Sequence, residues 1–106
     1  VSEGPTVLIF DFPNAQFGPA RTEALRPMAE SIAGEAGLLW KIWTEEPAQN
    51  RAGGIYLFAT REAAEAYHAM HAARLAARGV TGIEATYRGV NAVLSAIDRG
   101  PLTAAR

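Results

Sequence analysis

Two histidines, an arginine set into an apolar helix stripe and a dense group of aromatic rings are the side chains of this sequence with chemistry to offer. Glu65, His68 and His71 follow one another at three-residue steps, a spacing that raises the question of a metal site. On a helix, such steps fan the three side chains across about 120°, whereas a zinc ion needs its donors to converge on one point. No metal is expected. His71 borders the apolar stripe beside Tyr67, where an imidazole with an ordinary pKa of about 6.5 suits proton transfer or ligand orientation. The plainer alternative is a core-edge histidine satisfied by one hydrogen bond. His68 points toward the polar side with Glu65. Arg74 falls near the centre of the stripe, and a buried guanidinium needs a partner. Asp11, Glu45 and Glu84 on the strands, or the anionic group of a ligand, are the candidates, unless the stem packs and the head reaches the rim.

Trp40, Trp43, Tyr56, Phe58, Tyr67 and Phe10 form a dense aromatic set for so short a chain. Such rings make either plain core or the walls of a concave small-molecule site. Gly53–Gly54 is not followed by a helix, as a phosphate-binding loop requires, and reads instead as a place of close backbone approach or a bulge. There is no dinucleotide fingerprint, nucleophile elbow or HExxH sequence.

The elements that must hold these residues follow from periodicity and punctuation. Residues 6–12 are β-branched and aromatic and predict a strand. Pro13, Asn14, Gly18 and Pro19 mark a loop, and Leu25, Met28 and Ile32 give helical spacing over residues 20–35. Pro27 inside that span predicts a kink or a late start. Strands are expected at 37–46 and 52–60, joined by a polar loop as an antiparallel hairpin. An alanine-rich helix is expected at 61–78, with Thr60 as N-cap and Gly79 as its stop. A fourth strand at 82–90 precedes a short helical turn at 91–98, and residues 1–5 and 99–106 are expected to be flexible tails. The order βαββαβ predicts an α+β, ferredoxin-like sandwich with an antiparallel sheet, one domain over residues 1–106. Leu38, Trp40 and Ile42 take one parity and Leu39, Lys41, Trp43 and Glu45 the other, while Ile55 and Leu57 oppose Tyr56 and Phe58. Both sheet faces thus carry large apolar groups, and two helices cover only one, so a homodimer joined through the sheet faces is expected.

The chain has 106 residues, 49% of them apolar and 20% charged, with a net charge of −1. That balance supplies no positive field for nucleic acid or an anionic membrane. No apolar run approaches the roughly 20 residues of a membrane span. The absence of cysteine removes thiolate chemistry, disulfides and cysteine-based metal centres, and suits a cytoplasmic setting.

Several blocks carry a resemblance: Gly37 through Glu45 (GLLWKIWTE), Ala52 through Phe58 (AGGIYLF), Ala66–Tyr67, His71-x-Ala73–Arg74–Leu75, and Val90–Asn91-x-x-Leu94–Ser95. Together they resemble the YdhR family of monooxygenases, over nearly the whole domain. The resemblance implies a dimeric α+β barrel, similar in fold to the antibiotic-biosynthesis monooxygenases that oxidise aromatic polyketides without metal, flavin or haem. The chain departs from the family pattern at His68, where an apolar residue is usual, and at Ala92–Val93 in place of Glu-Pro. The expectation that follows is a cofactor-independent monooxygenase acting with O2 on a small phenolic or polyketide-like compound. Trp40, Trp43, Tyr56, Phe58, Tyr67 and Asn91 are the expected substrate-binding residues. His71, or a water beside it, would take the substrate's proton, and Arg74 or Asn91 would stabilise the oxyanion. The rival expectations are a non-catalytic dimeric protein that binds or senses a small aromatic ligand, and a purely structural dimerisation module.

Overall fold

The computed structural model describes residues 4–103. Its elements are β1 (Thr6–Pro13), α1 (Pro19–Ala33), β2 (Leu38–Glu46), β3 (Arg51–Phe58), α2 (Arg61–Ala77), β4 (Glu84–Gly89) and α3 (Ala92–Ile97), with a 3-10 turn at Pro47–Gln49 between β2 and β3. α1 begins at Pro19, whose missing N–H is harmless in a first turn, and continues through Pro27. The expected late start does not occur: the helix begins at Pro19 and Pro27 lies inside it. α2 is capped as expected: the Thr60 hydroxyl accepts from the Ala63 N–H at 3.1 Å, and Gly79 follows the last turn at φ +89. The expected turn after β4 is α3, with Asn91 as its N-cap.

The sheet runs β2-β3-β1-β4 with every pair antiparallel. The inner face of β1 presents Leu8 and Phe10 and that of β3 presents Tyr56 and Phe58. Met28 and Ile32 of α1 and Ala64, Tyr67 and Leu75 of α2 close over them to form the core. Each ring or branched chain buried there contributes on the order of 2 kcal/mol of transfer free energy. The core therefore lies in one layer, between the helices and one face of the sheet.

The barrel that the resemblance implied is not present. β2 and β4 are the two edges of an open sheet and do not pair with each other, and four strands are too few to close around a packed interior, which takes about eight.

The strand parity also needs correction at one place. A register shift between Leu38 and Trp40 inserts one residue, so Leu38 shares the inner face with Lys41, Trp43 and Glu45, while Trp40 and Ile42 lie on the outer face. The outer face otherwise carries Val7, Ile9, Ile55 and Leu57. The Trp40 indole N–H donates to the Pro101 carbonyl at 2.8 Å. Because β4 and β2 are opposite edges, the chain after β4 must cross the outer face to make that bond. Within the stretch expected to be a flexible tail, Gly100 N–H also bonds Ser95 O at 2.7 Å, so residues 100 and 101 are held. The expected tails at 1–3 and 104–106 lie outside the described residues.

Candidate functional site

A cavity of about 670 Å³ opens between α1, the C-terminal half of α2 and the β2–β3 half of the inner sheet face. The 3.6-residue repeat of α2 brings Tyr67, His71 and Leu75 onto its buried face, and of these His71 and Leu75 line the cavity. β2 and β3 supply Lys41, Trp43 and Tyr56, and α1 supplies Arg21, Leu25 and Met28.

His71 is buried, stacked on Tyr67 with ring centroids 4.9 Å apart. Its Nδ1 lies 2.9 Å from one terminal guanidinium nitrogen of Arg74 and 3.2 Å from Nε. A guanidinium can only donate, so Nδ1 accepts and the imidazole proton sits on Nε2. Burial first, then the charges of Arg74, Lys41 and Arg78, push the imidazole from its usual range down to about 3. His71 is thus a neutral N–H donor at pH 7, and its lone pair is already engaged. That differs from the proton acceptor expected from the sequence.

Arg74 does not reach the cavity wall. It spans from His71 to the Ser31 hydroxyl of α1 at 3.4 Å. None of the three carboxylates expected as partners takes it. Asp11 lies 2.7 Å and Glu84 3.6 Å from Arg51, on the outer face, and among the described ion pairs none joins Glu45 to Arg74. The positive charge of Arg74 therefore acts on the site through His71.

Tyr67 donates its hydroxyl to that of Tyr56 at 2.9 Å, which leaves the Tyr56 proton free for the cavity that its ring lines. Burial raises both phenols, Tyr56 to about 12 and Tyr67 further, so both remain protonated donors. Phe58 and Tyr67 pack behind Tyr56 at 6.0 and 4.9 Å and do not line the cavity. Trp43 lines it. Trp40 lies on the opposite face, and Asn91 accepts from Leu94 N–H at 3.0 Å as the cap of α3, outside the cavity.

His68 is half-buried between α2 and β4 rather than on a polar face. Its Nδ1 is 2.7 Å from the Tyr87 hydroxyl, and its ring meets Phe10 edge-on at 5.3 Å. Among the described residues no three His, Cys, Asp or Glu side chains converge in a way that could hold a metal.

Lys41 was not expected at the site. Its ammonium lies 3.4 Å from the Trp43 ring centroid and 4.6 Å from that of Tyr56. Burial, reinforced by Arg74, lowers its pKa to about 7. The sequence signal was available: Lys41 is the single charge in the run from Gly37 to Trp43, and inner-face parity puts it opposite Tyr56.

An antiparallel sheet carrying two helices on one face, with a partly open site between the layers, defines a ferredoxin-like α+β domain with a concavity of small-molecule size. Within that class the chain belongs to the family described as "Putative mono-oxygenase ydhR", whose model matches residues 7–101. A comparison with curated proteins gave no match. No described helix is long and apolar enough to cross a membrane.

Proposed function

We propose that the protein is an oxidoreductase that oxidises a small aromatic compound, phenolic or polyketide-like, with O2 and without a metal or organic cofactor. The observation that carries this reading is the cavity. Its walls are Trp43, Tyr56, Leu25 and Met28, and the polar groups of Tyr56, His71 and Lys41 meet it. Membership in the mono-oxygenase family supplies the reaction class. On this reading an electron-rich phenol or anthrone is bound as its conjugate base, its acidic proton having passed to the bulk buffer, since an imidazole held at about 3 is a poor acceptor. The carbanion then passes electrons to O2. One oxygen atom becomes a new carbonyl at the substrate carbon, and the other leaves as water with two substrate hydrogens, both from that carbon in an anthrone, one from the carbon and one from the hydroxyl in a phenol. The His71 Nε2–H and the Tyr56 hydroxyl, with Arg74 behind His71, stabilise the negative charge that develops on the substrate oxygen. Phe58 and Tyr67 hold Tyr56 in place. The partner proposed for the outer sheet face is a second copy of the chain, an arrangement that requires neither sheet to close.

Oxygen-electrode traces with anthrone as the probe are expected to show protein-dependent uptake, reduced about tenfold or more by His71→Ala. Uptake that does not depend on the protein, with both anthrone and 1-naphthol, removes this reading. A second reading, a non-catalytic protein that binds the aromatic compound, is favoured by one observation: the imidazole at the site is a poor base. It is distinguished by recovering the bound probe unchanged after denaturation.

A further inference from the structure

Lys41 is the group in this cavity whose placement the proposed chemistry leaves unexplained. Its tip rests over Gly54, where a Cβ would stand 2.6 Å from Lys41 Cε and 3.4 Å from Nζ. A side chain at that position would compete for the space the lysine tip occupies. A partly buried ammonium normally has a carboxylate beside it. The described ion pairs are Arg26–Glu23, Arg51–Asp11 and Arg51–Glu84, and none of them includes Lys41, Arg21 or Arg78, the three cations that line the cavity. Glu45 is the carboxylate on the same wall. The surplus of positive charge, with Arg74 adding to it from behind His71, faces a partly open cavity whose wall beside Lys41 is the rings of Trp43 and Tyr56. Rings satisfy an ammonium in part but leave its preference for an anion unmet.

Resting on the small-aromatic reading above, we propose that the ligand carries an anionic oxygen, a carboxylate or phenolate on its aromatic frame, and that Lys41 is the counter-ion that selects it. Binding then couples to protonation. Burial, with Arg74, brings the Lys41 pKa down to about 7, and an arriving anion favours its charged form. The groups facing it are Tyr56 from β3, His71, Arg74 and Arg78 from α2, Arg21 from α1, and Trp43 and Glu45 from its own strand. Between pH 6.5 and 8.5 Tyr56 keeps its proton and His71 stays neutral. Lys41, brought down to about 7, changes state inside that window.

The test is calorimetric titration of the full chain with 2-naphthoate, 2-naphthol and the neutral isostere 2-naphthamide. At pH 6.5 naphthoate is expected to bind about tenfold or more tighter than naphthamide. That preference falls about tenfold by pH 8.5, with about a third of a proton taken up per naphthoate bound there. In Lys41→Met the preference disappears while naphthamide binding persists. In Lys41→Arg, which keeps the charge and does not titrate, the preference stays and its pH dependence is lost, so the proposal remains testable if Lys41→Met does not fold. Naphthol gaining affinity as the pH rises toward its ionisation marks phenolate as the preferred anion; naphthoate leading throughout marks carboxylate. Equal binding of naphthoate and naphthamide by the unaltered protein overturns the anion proposal and leaves the aromatic-ligand reading standing. Failure of all three probes to bind overturns both.

Discussion

The bond between Arg74 and His71 fixes one tautomer of one ring, and stability acquires a pH dependence from it. The folded imidazole, held at about 3, stays neutral where the unfolded one, near 6.5, takes a proton. Below pH 6.5 the unfolded chain therefore binds more protons, and stability falls as the pH drops toward 3. Between pH 6.5 and 4.5 the loss from this residue is on the order of 2 kcal/mol. His71→Asn keeps a side-chain oxygen for Arg74 but removes the titration. Urea midpoints measured at pH 7 and 4.5 are expected to differ less in that variant than in the parent. An unchanged difference assigns the acid sensitivity elsewhere. His71, Tyr56 and Trp43 were legible in the sequence because helical and strand periodicity place them directly. Lys41 stands out as one charge in an apolar run, but the alternation alone does not tell which sheet face the helices cover, and so does not place it at the site. The partner of Arg74 was also not legible: a guanidinium bonded to a neutral imidazole three residues earlier is a local choice that depends on where the neighbouring carboxylates are spent.

At the scale of elements, β1 and β3 approach so closely at Gly53 that a Cβ there would stand 1.9 Å from the Phe10 carbonyl oxygen. That contact is with backbone, which cannot swing aside. Gly53→Ala is therefore expected to cost on the order of 3 kcal/mol or more, or to prevent folding. Gly89→Ala, at the end of β4 where nothing stands within 4 Å, should change stability by no more than about 0.5 kcal/mol. Denaturant melts of the two variants make the comparison, and similar midpoints refute the close-approach argument. The order of six main elements and the Thr60 cap were readable from pattern alone, since alternation, alanine content and capping chemistry are local. The register shift after Leu38 was not. A bulge leaves no mark in the alternation of a segment that is apolar at nearly every position, and it is this shift that puts Trp40 on the face away from the cavity.

For the whole molecule, the two faces of the sheet have different fates. The inner face is covered by α1 and α2 except at the cavity, where Trp43 is 40% exposed, while Ile42 on the outer face is 55% exposed, and Val93, Leu94 and Ile97 on α3 are 74%, 59% and 69% exposed. The second copy proposed for the outer face would cover those side chains. Ile42→Lys and Leu94→Lys are expected to weaken self-association about tenfold or more in sedimentation equilibrium while leaving the fold intact; a monomeric parent, or variants that associate as the parent does, would sink the proposed homodimer. The closed barrel was beyond reach of one chain's four strands, and only the family resemblance suggested it. The two tryptophans divide along the same boundary. Trp40 and Trp43 stand on opposite sides of one pleated strand, the first bonded to Pro101 and the second beneath the Lys41 ammonium. The protein thereby carries two optical reporters with separate addresses: with Trp43 replaced by Phe the remaining emission follows the crossing segment, and with Trp40 replaced it follows the charge state and occupancy of the cavity.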